Sequence, residues 1–138
     1  MGRKRMSRKQ TLKLMLVEDD EVTRATIKNA LTLPGFEILF DTASVKTAIE
    51  NVKLYNPDVA VLDYNLGKGP NGIDLAKKIR QSNPGIGIVL LTAFLNPTQI
   101  EEKILQLPPG SKYLVKHSVT KIETLVNVIN EAARFKAS

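Results

Sequence analysis

Five short apolar runs recur along the chain, each separated from the next by a stretch in which apolar residues return every three or four positions. The runs are Lys13 to Val17, Glu37 to Asp41, Val59 to Leu62, Gly87 to Leu91 and Tyr113 to Val115. Runs this short and this rich in aliphatic residues suit strands buried on both faces. The intervening stretches read as amphipathic helices: Val22 to Leu33 (with Ala25, Ile27, Ala30 and Leu31 on one side), Val45 to Tyr55, Ile73 to Gln81, Thr98 to Leu107 and Ile122 to Phe135. Leu105 is placed on the apolar side of the fourth, with Ile100 and Ile104. Breaks fall at Pro34-Gly35, Asn56-Pro57, Gly67 to Gly72, Pro84-Gly85 and Pro108 to Gly110. Strands alternating with helices predict an α/β fold, a doubly wound five-stranded parallel sheet with five helices covering both faces.

Two of the runs stop on carboxylates, Leu14 to Val17 on Glu18-Asp19-Asp20 and Val59 to Leu62 on Asp63. Ligands of open α/β sheets gather beyond the carboxyl ends of the strands, so acidic side chains are expected along one edge if the two strands are neighbours. Two like charges about 4 Å apart repel by roughly 4 kcal/mol at an effective dielectric near 20. Clustered carboxylates there would take up protons unless a cation sat among them. Such a pocket suits a divalent metal and phosphoryl chemistry. Asp20 has a second reading as the cap of the helix that follows.

A chain of 138 residues with 43% hydrophobic content has room for one core and not two. Absence of cysteine excludes disulfides and thiolate metal sites. The early apolar stretch Leu12 to Val17 is interrupted by Lys13 and is far too short for a membrane span or a signal core, so a cytoplasmic protein without membrane contact is expected. The net charge of +6 belongs to the start of the chain. Arg3, Lys4, Arg5, Arg8 and Lys9 leave 15 basic and 14 acidic residues from Thr11 onward. The expected organisation is a disordered basic tail over residues 1–11, with Met6 as an alternative start and weak contact with phosphates or anionic lipid as the tail's alternative role, and a domain over 12–136 that does not bind nucleic acid.

Glu18 and Asp19 after the first strand, Asp63 after the third, Thr92 after the fourth and Lys116 after the fifth together resemble the response-regulator receiver domain of two-component signalling. The resemblance covers about Leu12 to Phe135 and implies the flavodoxin-like receiver fold. It implies that Asp63 is the phosphoacceptor, accepting phosphoryl from a sensor histidine kinase or a histidine phosphotransfer protein with Mg²⁺ as cofactor. Asp19, Asp63 and the backbone carbonyl of Asn65 would be metal ligands, and Glu18 a ligand through water. Thr92 and Lys116 would meet the transferred group, and Ala93 leaves room for it. Tyr113, three residues before Lys116, resembles the aromatic switch of the family. Val22 to Leu33 and the loop after Lys116 would be kinase-docking surfaces. The downstream partner is not identified, and association of two copies is left open. Ending with its last helix, the chain carries no predicted output domain and is either a stand-alone receiver or a piece of a longer protein.

Departures from the family pattern concern the signalling face. His117 follows Lys116 where receivers usually carry a proline joined by a cis bond. A cis bond before a non-proline costs about 3 kcal/mol, so a trans loop with an exposed His117 is expected. Pro108-Pro109-Gly110 should shorten the fourth helix. Gly67 to Gly72 satisfies a dinucleotide-binding pattern of spaced glycines, but it follows the third strand and position 92 is a threonine, so it reads as the loop after the phosphoacceptor. Two alternatives remain. An aspartate-nucleophile phosphohydrolase usually has a second aspartate where Asn65 stands. A receiver-like docking module acting without phosphorylation usually lacks the acidic set that is intact here. The reading is of a signalling domain, not an enzyme, with Asp63 accessible from solvent and held with Glu18 and Asp19 around one metal ion.

Overall fold

The computed structural model describes residues 11–93, 96–116 and 121–135, apart from the side chains of Pro97 and Ile100. Strands β1 (Lys13–Val17), β2 (Glu37–Thr42), β3 (Val59–Asp63), β4 (Gly87–Thr92) and β5 (Lys112–Val115) alternate with helices α1 (Glu21–Thr32), α2 (Val45–Tyr55), α3 (Gly72–Ser82), α4 (Pro97–Ile104) and α5 (Ile122–Ala133). The sheet is parallel throughout, in the order β2-β1-β3-β4-β5. This is the predicted doubly wound, flavodoxin-like sheet. β1 and β3 are neighbours, paired from Leu14↔Val59 to Val17↔Leu62. The chain order reverses between them, which opens a crevice beyond their carboxyl ends.

Strand periodicity divides the buried residues into two cores. Met15, Val17, Ala60, Leu62, Ile88 and Leu90 face α2 and α3, meeting Ala48, Val52, Leu75, Ala76 and Ile79. Their sequence neighbours Leu14, Leu16, Val59, Val61, Val89 and Leu91 face α1 and α5, meeting Ile27, Leu31, Leu125, Ile129 and Ala132. Each such Leu, Ile or Val contributes roughly 1.5–3 kcal/mol by leaving water. The central strands are buried on both faces, whereas β2 and β5 at the edges are only partly so.

Local chemistry sets the helix starts. Asp20 caps α1 by accepting from the Thr23 N–H, Ser44 caps α2, and Asn71 forms a reciprocal capping box with Asp74 on α3. Two expectations about helix faces are corrected. Ala25 is exposed, because α1 turns Ile27 and Leu31 inward, and Leu105 is exposed because α4 ends before it. A helix continued to Pro108 would set the proline ring against the carbonyl of Ile104, the last residue of α4. The chain instead turns through Pro109 and Gly110, with Ser111 N–H donating to Pro108 O over 3.2 Å. Ile100 and His117 lie outside the described side chains, as do the Lys116–His117 bond and residues 1–10 of the tail.

The loop after β3 closes tightly on itself, Gly72 N–H donating to Tyr64 O over 2.7 Å. A Cβ on Gly72 would run into the Asp63 carbonyl and lie 2.8 Å from Tyr64 Cα and 2.9 Å from Leu90 Cδ1. Gly72→Ala should therefore lower stability in urea unfolding by about 1–3 kcal/mol through overpacking. Gly85→Ala, where nothing lies within 4 Å of the added carbon, should leave it nearly unchanged. Equal losses in the two variants would contradict this account of the loop.

Candidate functional site

Strand register brings the strand-terminal residues to one level. Val17 lies opposite Leu62, Asp63 opposite Leu91, and Thr92 opposite Val115, so Glu18, Asp63, Thr92 and Lys116 emerge together at the carboxyl edge. Lys116 Nζ lies 3.1 Å from Asp63 Oδ1, 3.2 Å from Glu18 Oε1 and 3.4 Å from Glu18 Oε2. One ammonium thus joins the ends of β1, β3 and β5.

Glu18 is 1% exposed and Asp63 3% exposed. The expected solvent-reachable Asp63 is corrected on this point. Its Oδ1 is engaged by Lys116, whose side chain is 28% exposed, and by the Asn65 N–H at 3.3 Å. A carboxylate withdrawn from water needs such partners. Asp19 is exposed, its Oδ1 3.9 Å from where a Cβ on Gly67 would stand. The expected cluster of three acids is thus a buried pair bridged by lysine, with Asp19 beside the loop after β3. Among the described residues no three acidic or histidine side chains converge closely enough to hold a metal ion.

Burial pushes the Glu18 carboxyl above its ordinary range, and the neighbouring Asp63 charge adds to the rise. Burial would lower the Lys116 ammonium, but the hydrogen bond and charge of Asp63, then Glu18, hold it above its ordinary value. Glu18 Oε2 accepts from the Asp20 N–H at 3.1 Å. Glu18 Oε1 is buried and within ion-pair distance of Lys116, yet accepts no hydrogen bond among the described residues. The under-coordinated Glu18 oxygen, Asp63 and the exposed Asp19 are oxygen donors with residual negative charge at one edge, short of a converged cage of three side chains. That chemistry fits Mg²⁺.

The other expected residues are placed as follows. Thr92 is buried at the end of β4, Asn65 is exposed just after Asp63, and Tyr113 is 43% exposed on β5. Gly67 and Gly69 adopt positive φ within the loop that joins β3 to α3. Arg24 was not anticipated from the sequence. Its Nη1 donates to Glu18 O over 2.9 Å while Nε pairs with Asp41 Oδ2 at 3.2 Å, fixing the backbone of Glu18 against β2. The available signal was Asp41, another acid at the end of an apolar run.

Residues 14–130 match the response regulator receiver domain. The chain belongs to that family. The receiver is similar to the DNA-binding transcriptional activator DevR/DosR of Mycobacterium tuberculosis, 33% identical over 106 residues that make up 76% of this chain and 48% of that protein. Chemotaxis protein CheY of Thermotoga maritima is 26% identical over 67% of this chain and 76% of its own length. Among solved structures, a DNA-binding response regulator of the LuxR family from Staphylococcus aureus superposes with a TM-score of 0.76 at 29% identity, covering 89% of this chain and 99% of that one. The receiver spans less than half the length of several curated relatives it matches, DevR/DosR included. Receivers are signalling domains of two-component systems, and no helix among the described residues is long and apolar enough to cross a membrane.

Replacing Lys116 by methionine would leave the buried pair uncompensated. We expect a loss of roughly 2 kcal/mol near neutral pH, between the values for exposed and buried pairs. Glu18 is raised, so the native state holds its proton more tightly than the unfolded chain does. Stability from this group therefore falls as pH rises from the ordinary value of 4.5 through the raised one, and is regained on acidification. The deficit of Lys116→Met should accordingly shrink toward acid pH. At the alkaline end, wild-type stability from Lys116 is complete below its ordinary value of 10.5 and is lost as pH rises through the raised one. Urea unfolding of both proteins across pH checks this, and a deficit independent of pH would contradict it.

Proposed function

We propose that this receiver accepts a phosphoryl group on Asp63 from a phosphohistidine of a sensor kinase or phosphotransfer protein, in a Mg²⁺-dependent manner. The observation that carries the reading is the bridge from Lys116 to both Asp63 and Glu18 at the sheet's switch point. Each residue then has a defined part. An Asp63 carboxylate oxygen attacks phosphorus, a P–O bond forms, and the P–N bond breaks with its electron pair leaving on the donor imidazole. Lys116 covers Asp63 beforehand and, with its flexible stem, can swing from the carboxylate to a phosphoryl oxygen, carrying its charge with it. The Thr92 hydroxyl at the adjoining strand end donates to another.

Asp19, Asp63 and the Asn65 carbonyl would hold Mg²⁺, with Glu18 acting indirectly. The ion, when bound, supplies neutralisation of phosphoryl charge. Val22 is exposed on the first turn of α1, next to the acidic edge, and offers an apolar contact to the donor protein. The loop after Lys116, the other proposed docking element, lies outside the described residues. Tyr113, outward on β5, is the group proposed to respond when Thr92 engages the phosphoryl group. The residue at Asn65 argues against a phosphohydrolase, since an amide cannot exchange the proton that turnover requires.

Treatment with acetyl phosphate, with and without Mg²⁺, should add one phosphoryl group to the wild-type protein only when the metal is present. Intact-mass measurement should find none on Asp63→Asn. Equal labelling of both proteins would exclude Asp63 as the acceptor. No metal-dependent labelling of either would favour a docking module, and steady phosphate release would favour a hydrolase.

A further inference from the structure

Strand β5 is short, lies at the sheet edge and is held from both ends by cations. At its far end Lys116 is tied to Asp63 and Glu18. At its near end the turn Pro108 to Ser111 is tied to Arg80 of α3, whose Nη1 donates to Pro109 O over 2.6 Å. The same guanidinium lies 4.0 Å from the centroid of the Phe135 ring, just past the end of α5. Phe135 also packs on Gly110, where any Cβ would strike the ring and where φ is +77°. Three elements remote in sequence therefore meet in one contact.

Part of this contact is costly. Arg80 Nε and Nη2 are buried without a hydrogen-bond partner among the described residues, so the ring and the single carbonyl bond must hold the guanidinium in place. A group kept so is sensitive to small shifts in the turn beneath it. Within the sheet β5 pairs with β4 alone. The described side chains of α4 are exposed or half-buried, and none of them belongs to either buried core.

We propose that Arg80, Pro109 and Phe135 form a clamp that couples β5 to the C-terminal end of α5, so that a change in how Lys116 is held reaches that end. Its use in signalling rests on the Asp63 reading above, whereas the coupling does not. The clamp would be the route by which events at the acidic edge are felt at the opposite edge of the sheet.

Nuclear magnetic resonance of the full chain tests it directly. In the wild type the Arg80 Nε–H signal should be shifted by the Phe135 ring and slow to exchange, and Phe135→Leu should abolish both properties. Releasing the far end of β5 with Lys116→Met should shift the signals of Gly110, Arg80 and Phe135. In Arg80→Met the same release should still move Gly110 but move Phe135 less, through the direct packing of the ring on Gly110 alone. Should Lys116→Met fail to fold, Lys116→Arg keeps the charge while altering its reach and is read in the same way. An unshifted Arg80 signal in the wild type, a motionless Phe135 on release of Lys116, or an equal Phe135 response without Arg80 would each overturn the coupling. Beryllofluoride with Mg²⁺ separates the two readings. Failure to bind counts against Asp63 as acceptor and leaves the Lys116 variants to decide the clamp, whereas binding without a Phe135 response overturns the signalling use.

Discussion

One ammonium set between two buried carboxylates is the interaction on which the rest of the site depends. Lys116 leaves β5, yet it pairs with groups at the ends of β3 and β1, reaching across the position of β4. This works only because parallel strands in register end at one level. Burial, and then the Asp63 charge beside it, raises Glu18, while Asp19 stays exposed. A hydrophobic replacement of such a group would commonly fold as well or better. Its presence at the carboxyl edge of the sheet is an arrangement suited to the proposed chemistry more than to stability.

The scaffold behind this edge is unevenly firm. β1, β3 and β4 are buried on both faces and packed between two helix pairs, so the carboxylates stand on the least yielding part of the fold. Arg24 adds a lateral brace from α1 to β2 and to the backbone of Glu18. β5 and α4 present mostly exposed or half-buried side chains. Sparse burial lowers the free energy of local opening, so displacement starting at Lys116 is steered toward β5 and away from the carboxylates.

Much of this was legible in the sequence, for identifiable reasons. Strands buried on both faces leave uninterrupted aliphatic runs, and functional groups at strand ends follow those runs directly, as Asp63 follows Leu62. Helix faces were less certain, because Ala25 and Ile27 both fit an apolar stripe and only packing selects between them. The covering of Asp63 was not legible at all. It depends on a lysine 53 positions away choosing the carboxylate over water. The contact of Arg80 with Pro109 and Phe135 is equally tertiary, since none of these residues announces the others along the chain.

Asn65 bears on what happens after transfer in the proposed reaction. Its Oδ1 accepts from the Gly67 N–H at 3.3 Å, and its own N–H reaches Asp63 Oδ1. The side chain therefore shapes the loop beside the acceptor and contributes no titratable group to it. Without an acid or base at that position, water attacking an acyl phosphate on Asp63 receives no proton-transfer help from the residue best placed to give it. In the proposed reaction, that missing proton transfer is what separates a phosphoacceptor from a hydrolase of the aspartate-nucleophile kind.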